Sequence, residues 1–191
     1  MNAYEDACTV EARGLARLVP YLKRRAKDGE LVMFTKGTLA MHMQEVVGDL
    51  AYNTPEGIYI TVEVKSEEED KYGNFFLESW SNRNLENDAY NERYGQKTGW
   101  MFRQQARLLL YYFLSSDECY AINFFKLRQW AFGHDPAGFR RINKYPERAQ
   151  NKRQQYNDTW GWCVPIGVIG KEVGFKKVNP LQIELPFEAA S

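Results

Sequence analysis

Between residues 58 and 65 apolar and polar side chains alternate. Ile60, Val62 and Val64 fall on one face and Thr61, Glu63 and Lys65 on the other, which is the period of a β-strand with an apolar and a charged side. Residues 46–52 share the β-branched and aromatic character of that run, and Asn53, Thr54, Pro55, Glu56 and Gly57 between them supply turn chemistry. The two runs predict a β-hairpin. A turn centred near Pro55 and Glu56 sets the register so that Asp49 lies across from Glu63, to within a residue or so.

Other elements are predicted around this hairpin. Residues 3–28 read as a helix, with Tyr4, Cys8, Glu11, Leu15, Leu18 and Leu22 along one face and Pro20 marking a kink or the start of a second helix. A carboxylate in that stripe needs a partner, because burying it unpaired is costly. Residues 30–35, 74–80 and 118–124 have strand character, the second with Phe76, Glu78 and Trp80 on one face and Phe75, Leu77 and Ser79 on the other. Residues 38–45 fit either a short helix or an irregular lead-in, and from there Gln44 and Glu45 are within reach of the Asp49 strand.

A longer helix is predicted over 99–114, from the stripe of Met101, Gln105, Leu108 and Tyr112 beside Phe102, Ala106, Leu109 and Phe113. A short helix follows over 125–132. Residues 160–169 and 177–185 are expected to add peripheral structure. The polar stretch 81–98 reads as a long loop whose Arg83, Tyr90, Arg93 and Tyr94 suit clamping or stacking on a nucleic acid strand.

The length of 191 residues with 44% hydrophobic composition suits one domain, 1–191, with a core over about 3–124 and a basic extension over about 125–191. No apolar run approaches the roughly 20 residues of a membrane span, and the first residues lack a secretory pattern, so no membrane partner and a cytoplasmic location are expected. Cys8, Cys119 and Cys163 form no C-x-x-C pair, and His42 and His134 are the only histidines. That argues against structural zinc and against a Cys/His nucleophile, and leaves carboxylates as the ligands for any metal. Net charge is zero, but unevenly spread. Residues 63–92 carry nine acids against three bases, whereas residues 126–153 carry eight bases against two acids. An acidic region able to collect metal, with a separate basic stretch for phosphates, is a layout that suits a nuclease; two mutually attracting solvated surfaces would give the same count.

Two carboxylates and one ammonium on a sheet face suit a divalent-cation site. Mg²⁺ takes hard oxygen ligands, usually one or two carboxylates plus waters and substrate phosphate oxygens, and a lysine beside it can orient or deprotonate an attacking water. Asp49 followed by Glu63-Val64-Lys65 on a hydrophobic strand resembles the PD-(D/E)XK nuclease superfamily, which includes restriction endonucleases, Holliday junction resolvases and many phage nucleases. Gly48 stands where the family name calls for proline.

The resemblance implies an α/β fold with an α-β-β-β-α-β core, a mixed central sheet flanked by helices, and Mg²⁺- or Mn²⁺-dependent hydrolysis of DNA. Asp49 and Glu63 would be metal ligands with the Val64 backbone carbonyl, and Lys65 would be the catalytic lysine. Glu11 matches an acidic residue on the first core helix, or else is an edge glutamate that snorkels to water or pairs with Arg107 or another base. Glu78 is a second-choice metal ligand or a protective edge charge. Gln105 is a site residue on the helix after the motif, or a hydrogen bonder at the core edge. No sequence-reading module is visible, and cutting both strands of a duplex would favour a homodimer. A catalytically silent module gripping nucleic acid or a protein partner is the alternative reading. A phage- or plasmid-type accessory protein with a tryptophan-rich surface (Trp100, Trp130, Trp160, Trp162) is the third.

Overall fold

The computed structural model of the chain describes residues 3–34, 39, 43–44, 46–83, 97–150 and 159–180. The first helix, α1 (Ala3–Arg25), runs unbroken through Pro20 and buries Leu18, Tyr21 and Leu22. The side chains of Tyr4 and Cys8 lie outside the described residues. A 3-10 turn at Lys27–Gly29 leads into β1 (Leu31–Met33), which pairs antiparallel with β2 (Leu50–Asn53).

The hairpin forms in the register its turn dictates. Leu50 pairs with Val62 and Asn53 with Tyr59, between β2 and β3 (Tyr59–Glu67), so position 49 faces position 63 one step beyond the last paired residue. Thr54 closes the turn, its amide donating to the Ile58 carbonyl and its hydroxyl accepting from the Ile58 amide.

After β3 the chain leaves this sheet. β4 (Asn74–Asn82) joins a second, four-stranded antiparallel sheet of order β5-β4-β9-β8, with β5 at Lys97–Thr98, β8 at Glu147–Ala149 and β9 at Trp160–Pro165. Phe75, Leu77 and Ser79, which alternation puts on one side of β4, are its buried face. A single turn of helix, α2 (Trp100–Arg103), then returns the chain to the first sheet as β6 (Leu108–Phe113), which lies parallel to β3 with Val62 beside Leu108 and Lys65 beside Tyr111. β7 (Glu118–Asn123) pairs antiparallel with β6, and β10 (Lys176–Val178) pairs with β7, giving the six-stranded order β1-β2-β3-β6-β7-β10. Two further helices are α3 (Phe124–Phe132) and α4 (Ile166–Glu172), with a 3-10 turn at Arg141–Lys144 between them; the Asn123 side chain caps α3 by accepting from the Lys126 amide.

The helix predicted over 99–114 is therefore replaced by four helical residues and a strand. The reason is burial on both faces. Leu109, Tyr111 and Phe113 point to one core and Leu110 and Tyr112 to another, so the run is apolar at every position and matches a helical stripe as readily as a strand. Residues 74–80, expected as an extra strand, lie in the second sheet, and the crossover from β3 to β6 runs through β4, β5 and α2. The coarser expectation stands: the protein is α/β with a mixed sheet.

The mixed sheet divides the molecule. On one side α1 packs Leu18, Tyr21 and Leu22 against Leu50, Tyr52, Val62, Val64, Leu110 and Tyr112. On the other side Leu109, Tyr111, Phe113 and Ile122 meet Phe75 and Leu77 of the second sheet, with α3 and α4 closing the core. Residues 160–169 are part of this centre, because β9 contributes Trp162 and Val164 to the core. Trp100 and Trp130 are core residues with Trp162, so the tryptophans expected on an aromatic surface are largely interior. Among the described residues no helix is long and apolar enough to cross a membrane.

Candidate active site

Asp49 is placed by its backbone before its side chain acts. Gly48 has φ +124, and a Cβ there would sit 2.5 Å from the Val62 carbonyl oxygen, so only glycine fits and proline, fixed near φ −65°, is excluded. The Asp49 amide donates to the Val62 carbonyl at 2.8 Å, and the carboxylate Oδ2 accepts from the Val64 amide at 2.7 Å. Asp49 in effect continues the β2–β3 ladder with its side chain. Its second oxygen, Oδ1, accepts from Gln44 Nε2 at 2.9 Å.

Across from it, Glu63 is 1% exposed. Of the face that alternation marked as charged, Glu63 is buried, while Thr61 and Lys65 are half-buried. Glu63 Oε1 lies 2.8 Å from Lys65 Nζ, while Oε2 is buried with no hydrogen-bond partner. Burial pushes the Glu63 carboxyl up to about 8; the Lys65 ammonium pulls the other way, and the Asp49 and Glu11 carboxylates add to the rise. For Lys65 burial works to lower the pKa, but the Glu63, Glu11, Asp49 and Glu78 carboxylates outweigh it and hold the ammonium well above its ordinary value.

Glu11 reaches the cluster from α1, its Oε1 3.5 Å from Lys65 Nζ. It does so from the rim, with a side chain 60% exposed, rather than from the core its helical stripe suggested. Close packing sets this approach. Gly14, one turn further on, lies so near β3 that a Cβ would be 1.8 Å from Ser66 Oγ. Trp100 closes the site on the opposite side, with Lys65 Nζ 5.9 Å from its ring centroid. Glu78, on the second sheet, accepts from the Trp100 amide at 3.3 Å and from the Ser81 hydroxyl, and its charge reaches Lys65. Glu67, next on the Glu63 face, is held by the Tyr111 hydroxyl.

The structure thus brings together Asp49, Glu63, Lys65 and Glu11, with Glu78 behind Trp100. Val64 contributes its amide to Asp49 and its side chain to the α1 core. Gln105 is turned outward; its backbone amide donates to the Val46 carbonyl. The neighbouring Gln104 is buried instead, and its Nε2 donates to the Gln44 carbonyl, so it supports the residue that holds Asp49. Reading 99–114 as a helix turned the wrong glutamine inward, and Trp100 was missed for the same reason. Arg83 sits over the Trp160 ring, 4.6 Å from its centroid. Glu45, Tyr90, Arg93 and Tyr94 lie outside the described residues.

Whether this donor set suits a divalent cation can be judged from its chemistry. It offers hard carboxylate oxygens, one of them a buried oxygen without a partner, and Mg²⁺ needs only one or two protein carboxylates. Among the described residues no group of three or more His, Cys, Asp or Glu side chains is disposed to hold an ion as it stands. No protein-family model, curated protein or solved structure matches the chain.

Proposed function

We propose that the protein is a Mg²⁺-dependent nuclease that hydrolyses phosphodiester bonds in DNA, with the helix, hairpin and parallel strand around Glu63 forming a restriction-endonuclease-like centre. The observation that carries this reading is the buried Glu63 carboxylate, one oxygen on Lys65 and the other without a partner, facing Asp49 across the hairpin. Asp49 and Glu63 would hold the ion, with Glu11 assisting from the rim and Glu78 from behind Trp100. Bound there, Mg²⁺ would polarise the scissile phosphate and lower the pKa of a water.

The chain's own groups supply the rest. Lys65 would orient the water and counter the charge that builds on phosphate. The Val64 amide and Gln44 fix the Asp49 carboxylate before substrate arrives. Burial under Trp100 and the second sheet limits competing water. Two copies would cut both strands of a duplex.

The test is cleavage of labelled linear duplex, single-stranded and branched DNA with Mg²⁺, Mn²⁺ or chelator. Metal-dependent cleavage by the wild type, lost in Lys65→Ala and Asp49→Asn, is expected. No cleavage of any substrate, with all three proteins folded, would overturn the proposal. A second reading, a catalytically silent module binding nucleic acid or a protein, is favoured by the ion pairs Lys65 makes with Glu63 and Glu11, which already neutralise the acids without a metal.

A further inference from the structure

Away from the acidic cluster, α2, α3 and the loop after α3 each present an exposed aromatic side chain. Phe125 of α3 is 72% exposed and Phe139 of the loop 66%. Phe102 of α2, itself 37% exposed, stacks on Phe132 with centroids 4.6 Å apart and rings 21° from parallel. Phe125 and Phe132 stand two turns apart on α3, and Arg128 between them donates to the Phe102 and Gln104 carbonyls, fixing α2 against α3. The Arg140 guanidinium, next in sequence to Phe139, lies over the Phe132 ring at 5.9 Å.

The loop that presents Phe139 is built, not slack. Residues His134 and Arg140 bridge its ends, and the Asp135 carboxylate accepts from the amides of Ala137 and Phe139. An exposed phenylalanine on a loop braced in this way is held out to solvent at a fixed position.

Charge identifies what such a strip would take. Lys126, Arg140, Arg141 and Lys144 are all exposed on this segment, and Asp135, the one acid between residues 126 and 144, accepts from the loop amides and lies within charge range of Lys144 and Arg141. The segment keeps a positive excess that an apolar protein partner would leave unmatched. Unpaired bases offer ring faces for the phenylalanines and phosphates for the cations at the spacing a nucleic acid strand imposes.

We propose that this strip is a stacking platform for single-stranded nucleic acid. The inference rests on the nuclease reading for its substrate class and narrows it, because α2 joins the two features, with Trp100 over Lys65 and Phe102 in the strip. The stacking faces belong to Phe102, Phe125 and Phe139, and the backbone contacts to Arg140, Arg141 and Lys144.

The experiment is fluorescence anisotropy of labelled oligothymidylate and oligouridylate of about 15 nucleotides, with a matching DNA duplex, in chelator so that no turnover enters. Single strands should bind more tightly than duplex. Phe125→Ala or Phe139→Ala should each weaken binding about tenfold, within the range of one lost base stack. Arg140→Ala should lower the salt slope by about 0.7. Phe139→Trp should keep the affinity, and its indole emission should be quenched on binding. The deoxy and ribo strands separate a DNA platform from an RNA one. Absence of binding, preference for duplex, or wild-type affinity in both alanine variants with thermal melts intact would overturn the platform. Strand binding without metal-dependent cleavage would remove the nuclease reading and leave the platform; cleavage indifferent to the phenylalanines would do the reverse.

Discussion

Glu63 is the residue on which the chemistry turns, and its pKa gives a signed expectation. A carboxyl raised in the folded state from 4.5 to about 8 favours folding only while protonated. Its contribution is therefore fully present below about pH 4.5 and is lost as pH rises towards 8, at a cost of a few kcal/mol. Glu63→Gln cannot ionise, so its stability relative to wild type should improve steadily from about pH 5 to pH 8, read from urea midpoints. A difference that stays flat across that range would contradict the buried, proton-binding carboxyl. Gly48 gives a second expectation. Gly48→Ala puts a Cβ against the Val62 carbonyl at a positive φ, and should cost about 1–3 kcal/mol in denaturant unfolding while displacing Asp49. Retention of wild-type stability would mean that the strain is relieved elsewhere.

At the scale of elements, the packing of α1 on β3 decides whether Glu11 belongs to the site. Gly14→Val should force α1 away from Ser66, destabilising the fold and separating Glu11 from Lys65. Leu22→Ala, fully buried in the same interface, should cost about 2–5 kcal/mol by leaving a cavity, without moving β3. Comparing the two variants by thermal unfolding and by any metal affinity separates loss of stability from loss of Glu11. If Gly14→Val bound metal like wild type, Glu11 would be only an ion-pair partner of Lys65.

The same scale explains what could be read in advance. The hairpin was legible because its β3 strand alternates strictly and its turn residues fix one register, which put Asp49 across from Glu63. The strands β1, β4 and β7 and the helix α3 were legible from local character. The crossover was not, because β6 is apolar at every position and its pairing with β3 is a long-range choice that no local period reports. That error carried Gln105 inward and hid Gln104 and Trp100. The second sheet was hidden for a related reason: β8 and β9 lie some 70 residues beyond β4 in sequence and announce no partner.

For the whole molecule, the two sheets turn a strand face that looks solvated in sequence into a sheltered one, and the charges on it must be balanced by each other or by an ion. As it stands, Glu63 keeps its proton below about pH 8 and Lys65 balances the remaining acids. Divalent metal should therefore bind more tightly as pH rises and the Glu63 proton leaves, and the thermal midpoint should gain more from Mg²⁺ at pH 8 than at pH 6.

The most direct measurement is calorimetric titration of the folded protein with Mn²⁺ near pH 7, in two buffers of different ionisation enthalpy, beside Glu63→Gln and Asp49→Asn. Saturable binding by the wild type, with release of up to one proton per ion from Glu63 and loss of binding in both variants, is expected of a site built from this pair. Absence of binding, or binding that both variants retain, would contradict a metal centre at Glu63 and leave Lys65 as the permanent partner of these acids.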